Sequence, residues 1–266
     1  RTNYFEGVPS EQLPLALWLE ADRMGFLLPV LNQEKLDNQK LVVRNERRQS
    51  YENRPYGMTW WWLYQNLYPE GHPYHIPTIG KHEDIDAANL EDVKAFFKQW
   101  YLPNNASLSV TGDFDPTEAK ALVEKYFGDL PAGPQPEPVL DVEPVTLAEE
   151  IVIRKTDDVP HDKVWLAWHS PALYQPGDAE LDTLSSALSS GKDSRLYRKL
   201  IEETQLAQDV SAYQVSSLLS SFYVIEATAS EGKSPEDVVA AIDAVLADVQ
   251  ENGVSEEEVT LAQTNW

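Results

Sequence analysis

Val42-Val43-Arg44-Asn45-Glu46-Arg47-Arg48-Gln49, followed by Tyr51-Glu52-Asn53-Arg54-Pro55-Tyr56-Gly57, puts a carboxylate in an awkward place. Residues 33–54 contain neither Gly nor Pro and read as one long helix. Arg54-Pro55 ends it, because proline lacks an N–H and pushes the residue before it out of the helical region. On that helix Glu46 falls one turn after Val42 and Val43, inside the apolar arc they define with Leu36. A lone charge there costs free energy unless something compensates it. Two readings follow. Either Glu46 pairs with an Arg or Lys of a neighbouring element, or it is a metal ligand presented from a helix. Gln39, a heptad earlier, lies on the same face.

Composition sets the frame. The chain has 266 residues, enough for one large or two ordinary domains with a proper core. Hydrophobic residues make up 42%, with 8 Trp, 12 Tyr and 7 Phe, which argues against disorder. The net charge of −23, from 44 acidic and 21 basic side chains, excludes a general nucleic-acid binder and disfavours docking on anionic membranes. There is no cysteine, so disulfides and thiolate metal sites are excluded, and the absence suits an oxidising compartment. No apolar run approaches the roughly 20 residues of a transmembrane helix. The chain begins at Arg1 rather than Met, and is read as a processed or trimmed piece with any signal peptide upstream.

Residues 131–147 carry five prolines and three carboxylates and read as an extended, semi-rigid linker. They divide the chain into a first lobe, 1–130, and a second, 148–266. In the first lobe, 2–8 and 106–112 read as strands. Residues 10–28, 33–54, 58–68, 89–101 and 116–127 read as helices. In the second, 149–156, 163–169, 206–216 and 219–230 read as strands. Residues 177–201 read as a helix pair, 235–251 as a helix, and a last helical turn begins at 255. Both lobes contain a strand leading into a capped helix with Pro at its first position. Asp115-Pro116-Thr117-Glu118 and Ser234-Pro235-Glu236-Asp237 supply the N-cap oxygen and an acidic side chain at the positive helix end. The fold class is therefore α+β, two similar α/β lobes of mostly antiparallel sheet against helices, both truncated by the ends of the piece.

Several blocks carry a resemblance. Arg1-Thr2-Asn3-Tyr4-Phe5-Glu6, Leu15-Ala16-Leu17-Trp18-Leu19-Glu20-Ala21-Asp22-Arg23-Met24, Asn45-Glu46-Arg47-Arg48-Gln49 and Tyr51 to Gly57 occur in that order. Pro103-Asn104-Asn105, Gly112-Asp113-Phe114, Ser189-Ser190-Gly191 and Ser194-Arg195-Leu196 follow. Together they resemble the pitrilysin/insulinase family of zinc proteases, in its bacterial extracytoplasmic branch, over nearly the whole chain. The resemblance implies an inverzincin half: a helix bearing H-x-x-E-H, whose two His bind zinc and whose Glu is the general base, and a downstream glutamate as third ligand. By position Glu46 matches that third ligand. Three protein ligands leave a fourth place for water, whose pKa zinc lowers to about 7. Gln39 stands where some relatives carry a supporting glutamate. Gln39, Asn45 and Asn53 are candidates for hydrogen-bonding the ligand set from outside it.

H-x-x-E-H does not occur in the 266 residues, whose histidines are His72, His75, His82, His161 and His169. The general base is expected upstream of Arg1, so residues 1–266 alone are expected to be inactive and to bind Zn2+ poorly. The alternative is a catalytically dead, peptide-binding scaffold of the same fold. The family's substrate-holding Arg and Tyr fall at Ile201 and Gln208 here. A second homologous half, fused or separate, would supply that pair, closing a chamber around peptides or unfolded polypeptides in the bacterial envelope. Substrate would add as a strand at a sheet edge. His72-Pro73-Tyr74-His75 reads as a structural turn rather than a chelate, since Pro73 and Pro77 break a helix there. Trp60-Trp61-Trp62 reads chiefly as packing between helices, with some rings available to line a chamber.

Overall fold

The computed structural model describes residues 2–138 and 142–264. In chain order the regular elements are α1 (Leu13–Val30), α2 (Gln33–Arg47), α3 (Thr59–Leu67), α4 (His82–Ala87), α5 (Leu90–Trp100) and α6 (Pro116–Phe127). Then come β1 (Lys163–Ser170), α7 (Asp178–Ser189), α8 (Arg195–Tyr197), β2 (Ala207–Val215), β3 (Ser221–Ala229), α9 (Pro235–Asn252) and α10 (Glu256–Thr264). π-helical turns extend α2 over Arg48–Glu52 and α8 over Arg198–Glu203. The chain forms two compact units. Among the described residues, one holds 2–48 and 79–138, the other 49–78 and 142–264. Residues 49–78, which a division at the prolines assigns to the first lobe, pack within the second unit.

The first unit is helical. Asn89 caps α5 by accepting from Glu91 and Asp92 N–H, and Asp92 reaches back to the Asn89 N–H, a reciprocal box. Asp115 caps α6 by accepting from Thr117 and Glu118 N–H, with Pro116 at the first position. α1 packs on α6, and Leu17 and Ala21 of the one and Ala119 of the other are buried. Trp18, Leu19 and Phe26 on α1 remain exposed. The expected strands 2–8 and 106–112 make no ladder among the described residues. A strand exists only with a hydrogen-bonding neighbour, and none of the described residues lies beside them as one. Tyr4 instead hydrogen-bonds Tyr101 (2.6 Å) and lies under the Arg23 guanidinium (4.1 Å), while Phe5 is 91% exposed.

The second unit is built around an antiparallel sheet of order β1-β3-β2. β3 is central and buried on both faces, so its two side-chain sets serve two cores. Tyr223, Ile225, Ala227 and Ala229 pack with Leu188, Leu196, Leu200, Val238 and Ile242 from the helices. Phe222 and Val224 point the other way, onto Leu67 and Tyr68. Fully burying one such aliphatic side chain contributes about 1.5–3 kcal/mol. Trp61 is buried, Trp60 packs against Phe222 and Tyr213, and the Lys155 ammonium sits 5.2 Å from the Trp62 ring.

Polar locks close this unit. Arg195 grips Glu258 with two hydrogen bonds, Nε to Oε1 (2.6 Å) and Nη2 to Oε2 (2.7 Å), and also reaches Asp248 and the Gly253 carbonyl. That guanidinium holds the Glu258 carboxyl down at about 2. Buried Asp178 accepts from Tyr174 N–H, Ser216 Oγ–H and the Gln214 side-chain amide. The expected strand 149–156 also makes no ladder among the described residues, and Ile151, Val152 and Ile153 stay exposed, although Arg154 reaches Glu236 (3.5 Å). Residues 131–138 and 142–147 hold no regular structure; 139–141 lie outside the described residues.

Candidate functional site

α2 opens at Asn32, whose side chain accepts from the Lys35 N–H (3.0 Å), and Glu34 sits in its first, positive turn. One flank carries Leu36, Lys40, Val43, Arg44 and Arg47, spaced so that they share a helix face. Leu36 and Arg47 are buried. Lys40 Nζ donates to the Asp86 carbonyl (3.0 Å), Arg44 pairs with the Asp86 carboxylate (2.9 Å), and Arg47 donates to the Gly80 carbonyl. These three cations fasten α2 to the 80–86 segment. Gly80 has φ +74, a conformation glycine adopts without strain.

This arrangement corrects the apolar-arc reading of Glu46. The inward face of α2 is half basic, and its charged ends find a carboxylate and two carbonyls. Leu36 and Val43 belong to that face, but Val42 and Glu46 lie to its side and are exposed. Glu46 is therefore not an uncompensated core charge. Its carboxylate makes no hydrogen bond or ion pair among the described residues, so it is open to a ligand. Gln39, two turns earlier on the same side, is exposed as well. Asn45 is exposed and its Oδ1 accepts from Arg48 Nη1 (3.1 Å). Asn53 lies past the π turn, in the second unit.

The structure thus unites Gln39, Asn45 and Glu46 on one helix. Among the described residues no three His, Asp or Glu side chains converge as a metal centre needs. The sequence reading missed the anchors Lys40, Arg44, Arg47 and Asp86. The available signal was the i, i+4, i+7 spacing of the three basic residues beginning one turn after Leu36. Two of the histidines sit against Tyr68: His75 Nδ1 is 2.8 Å from the Tyr68 carbonyl, and His72 stacks on the Tyr68 ring. Ile201 packs into the helix-side core and Gln208 donates to the Ala229 carbonyl (3.2 Å).

Known proteins share this architecture. The Zinc protease PqqE of Helicobacter pylori is 28% identical over 267 aligned residues, covering 99% of this chain and 59% of the relative. A solved protease structure from Helicobacter pylori superposes with a TM-score of 0.82 at 25% identity, covering 97% of this chain and 62% of the other. The periplasmic protease PqqL from Escherichia coli shares the fold at a TM-score of 0.70 and 19% identity, with 98% of this chain covering 29% of that one. This chain therefore spans less than two thirds of those relatives. No helix among the described residues is long and apolar enough to cross a membrane. Residues 87–265, well over half the sequence, match the family described as the Peptidase M16 inactive domain, and the chain belongs to that pitrilysin/insulinase-type peptidase family.

Proposed function

We propose that this chain is part of a zinc-dependent metalloendopeptidase in which Glu46 is the third protein ligand to Zn2+. The observation that carries the reading is the unengaged Glu46 carboxylate on a helix held by Lys40, Arg44 and Arg47. An oxygen donor without a competing cation, on a backbone fixed by three anchors, fits one position of a zinc site. Bound zinc supplies a Lewis acid and an activated water at neutral pH. Glu46 contributes negative charge and direction, and Gln39 is the amide on the same side that can orient it. The other ligands and the general base belong to an H-x-x-E-H segment, which residues 1–266 do not contain, so this stretch alone is inactive. A second homologous half provides the missing Arg and Tyr, the substrate is a peptide or unfolded polypeptide, and the setting is the bacterial periplasm. Names among the relatives, a zinc protease and a periplasmic protease, support that reading.

The test is Glu46→Gln in the intact protein. Zinc occupancy and peptidase activity should fall together, activity by about a hundredfold or more, the scale on which losing a ligand's charge acts. Full zinc retention by the variant would remove the ligand assignment. Gln39→Ala should do much less. A second reading, a peptide-binding scaffold without catalysis, is favoured by the inactive-domain description of the matched family. Intact protein that binds unfolded peptide but holds no zinc would select it.

A further inference from the structure

Residues 68–75 form a tight knot in the second unit. His72 is 9% exposed, with its ring stacked on Tyr68 (centroids 4.6 Å apart) and edge-on to Tyr74 (5.4 Å). Its Nδ1 accepts from the Tyr74 N–H (3.0 Å), so the neutral ring carries its proton on Nε2. That Nε2 is buried and has no hydrogen-bond partner. Two backbone turns brace the loop, His72 N–H to the Pro69 carbonyl (3.1 Å) and His75 N–H to the His72 carbonyl (3.0 Å). The knot is tied to the β2–β3 hairpin: Tyr68 Oη–H donates to the Ser220 carbonyl (3.0 Å), and Tyr74 Oη accepts from the Leu219 N–H (3.2 Å).

A second histidine closes on the same ring from the sheet. His169 of β1 meets Tyr68 edge-on at 5.5 Å, and neither ring nitrogen makes a hydrogen bond of normal geometry. The groups facing the pair are Tyr68 at the C-cap of α3, Tyr74 and the turn backbone from the loop, the Leu67 carbonyl, and the two rings themselves. None is a carboxylate. The Tyr68 phenol is pushed up to about 12 by burial and stays neutral.

We infer that His72 and His169 form an acid-sensitive latch, whose protonation releases the 69–75 loop from the β2–β3 hairpin. A proton added at His72 Nδ1 turns the acceptor into a donor aimed at the Tyr74 N–H. It also puts a cation between two phenol rings beside a second histidine, with no anion to receive it. Burial, then the proximity of His169, depresses the His72 ring below the ordinary histidine value; burial also lowers His169, against the opposing pull of the Leu67 carbonyl. The sign follows from linkage. The opened state binds more protons, so the closed knot has its full stability above about pH 6.5 and loses it as pH falls through the two depressed values. His75 is held differently, its Nδ1 lying 2.8 Å from the Tyr68 carbonyl, and serves as the control.

Hydrogen exchange on the intact protein tests this. Protection of the Tyr74 and Leu219 amides, corrected for intrinsic exchange, should fall between about pH 7.5 and about pH 5, roughly tenfold for each unit of depression. His72→Gln should abolish much of that pH dependence, and His75→Gln should leave it intact. The same fall in His72→Gln would overturn the latch. NMR titration of the wild-type ring gives a readout that needs no variant to fold. A His72 value at or above the ordinary histidine range would also overturn it.

Discussion

The two units solve the burial problem differently. In the second, β3 lies between two partner strands and feeds a core on each face, so Val224, Ile225 and Ala227 are completely buried. In the first, few apolar side chains are buried and the anchors of α2 are charged, while Phe5, Trp18, Phe26 and Leu108 stay exposed. Stability should therefore concentrate in the second unit, and α2 should owe its position to directional polar contacts more than to apolar packing. Such anchoring fixes an exposed carboxylate without covering it, which suits a helix that presents a ligand.

Substitutions can break that comparison. Ile225→Ala should cost about 2–5 kcal/mol in denaturant unfolding, as a cavity opens at the centre of the sheet. A cost under about 1 kcal/mol would mean that the second unit is not the cooperative core. Glu258→Gln should cost about 1.5–3 kcal/mol at neutral pH, the range for hydrogen bonds to charged groups. Its signature is a pH window. A carboxyl held down at about 2 contributes stability above its unfolded value of 4.5, and loses it as pH falls through about 2. The difference between wild type and variant should therefore close across that interval. A constant difference would place the effect in packing. Phe5→Ser should change stability by no more than about 0.5 kcal/mol, since that ring buries almost nothing. A larger loss would show a covered first unit in solution.

Where local chemistry decides structure, the sequence was readable. Asp115-Pro116 and Ser234-Pro235 start helices where capping and proline rules place them, and α9 and α6 match the expected spans within a residue. β1, β2 and β3 were legible from their apolar runs and breaks. The failures at 2–8, 106–112 and 149–156 share a cause: strand propensity reports a tolerant backbone and says nothing about whether a neighbour exists to pair with it. At the candidate site, the helix and Glu46 could be read from the sequence. Which flank faces inward could not, because Arg44 and Arg47 are held by Asp86 and Gly80, 42 and 33 residues on, and apolar periodicity is blind to basic anchors.

The unladdered Ile151-Val152-Ile153 has a consequence for handling the protein. Three exposed β-branched residues in a row are a template for cross-strand aggregation. Glu149 and Glu150 precede them and Arg154 and Lys155 follow, so any stacked copy in register would bring like charges together at both ends. These four side chains act as gatekeepers, and colloidal stability should fail first in high salt, where their repulsion is screened.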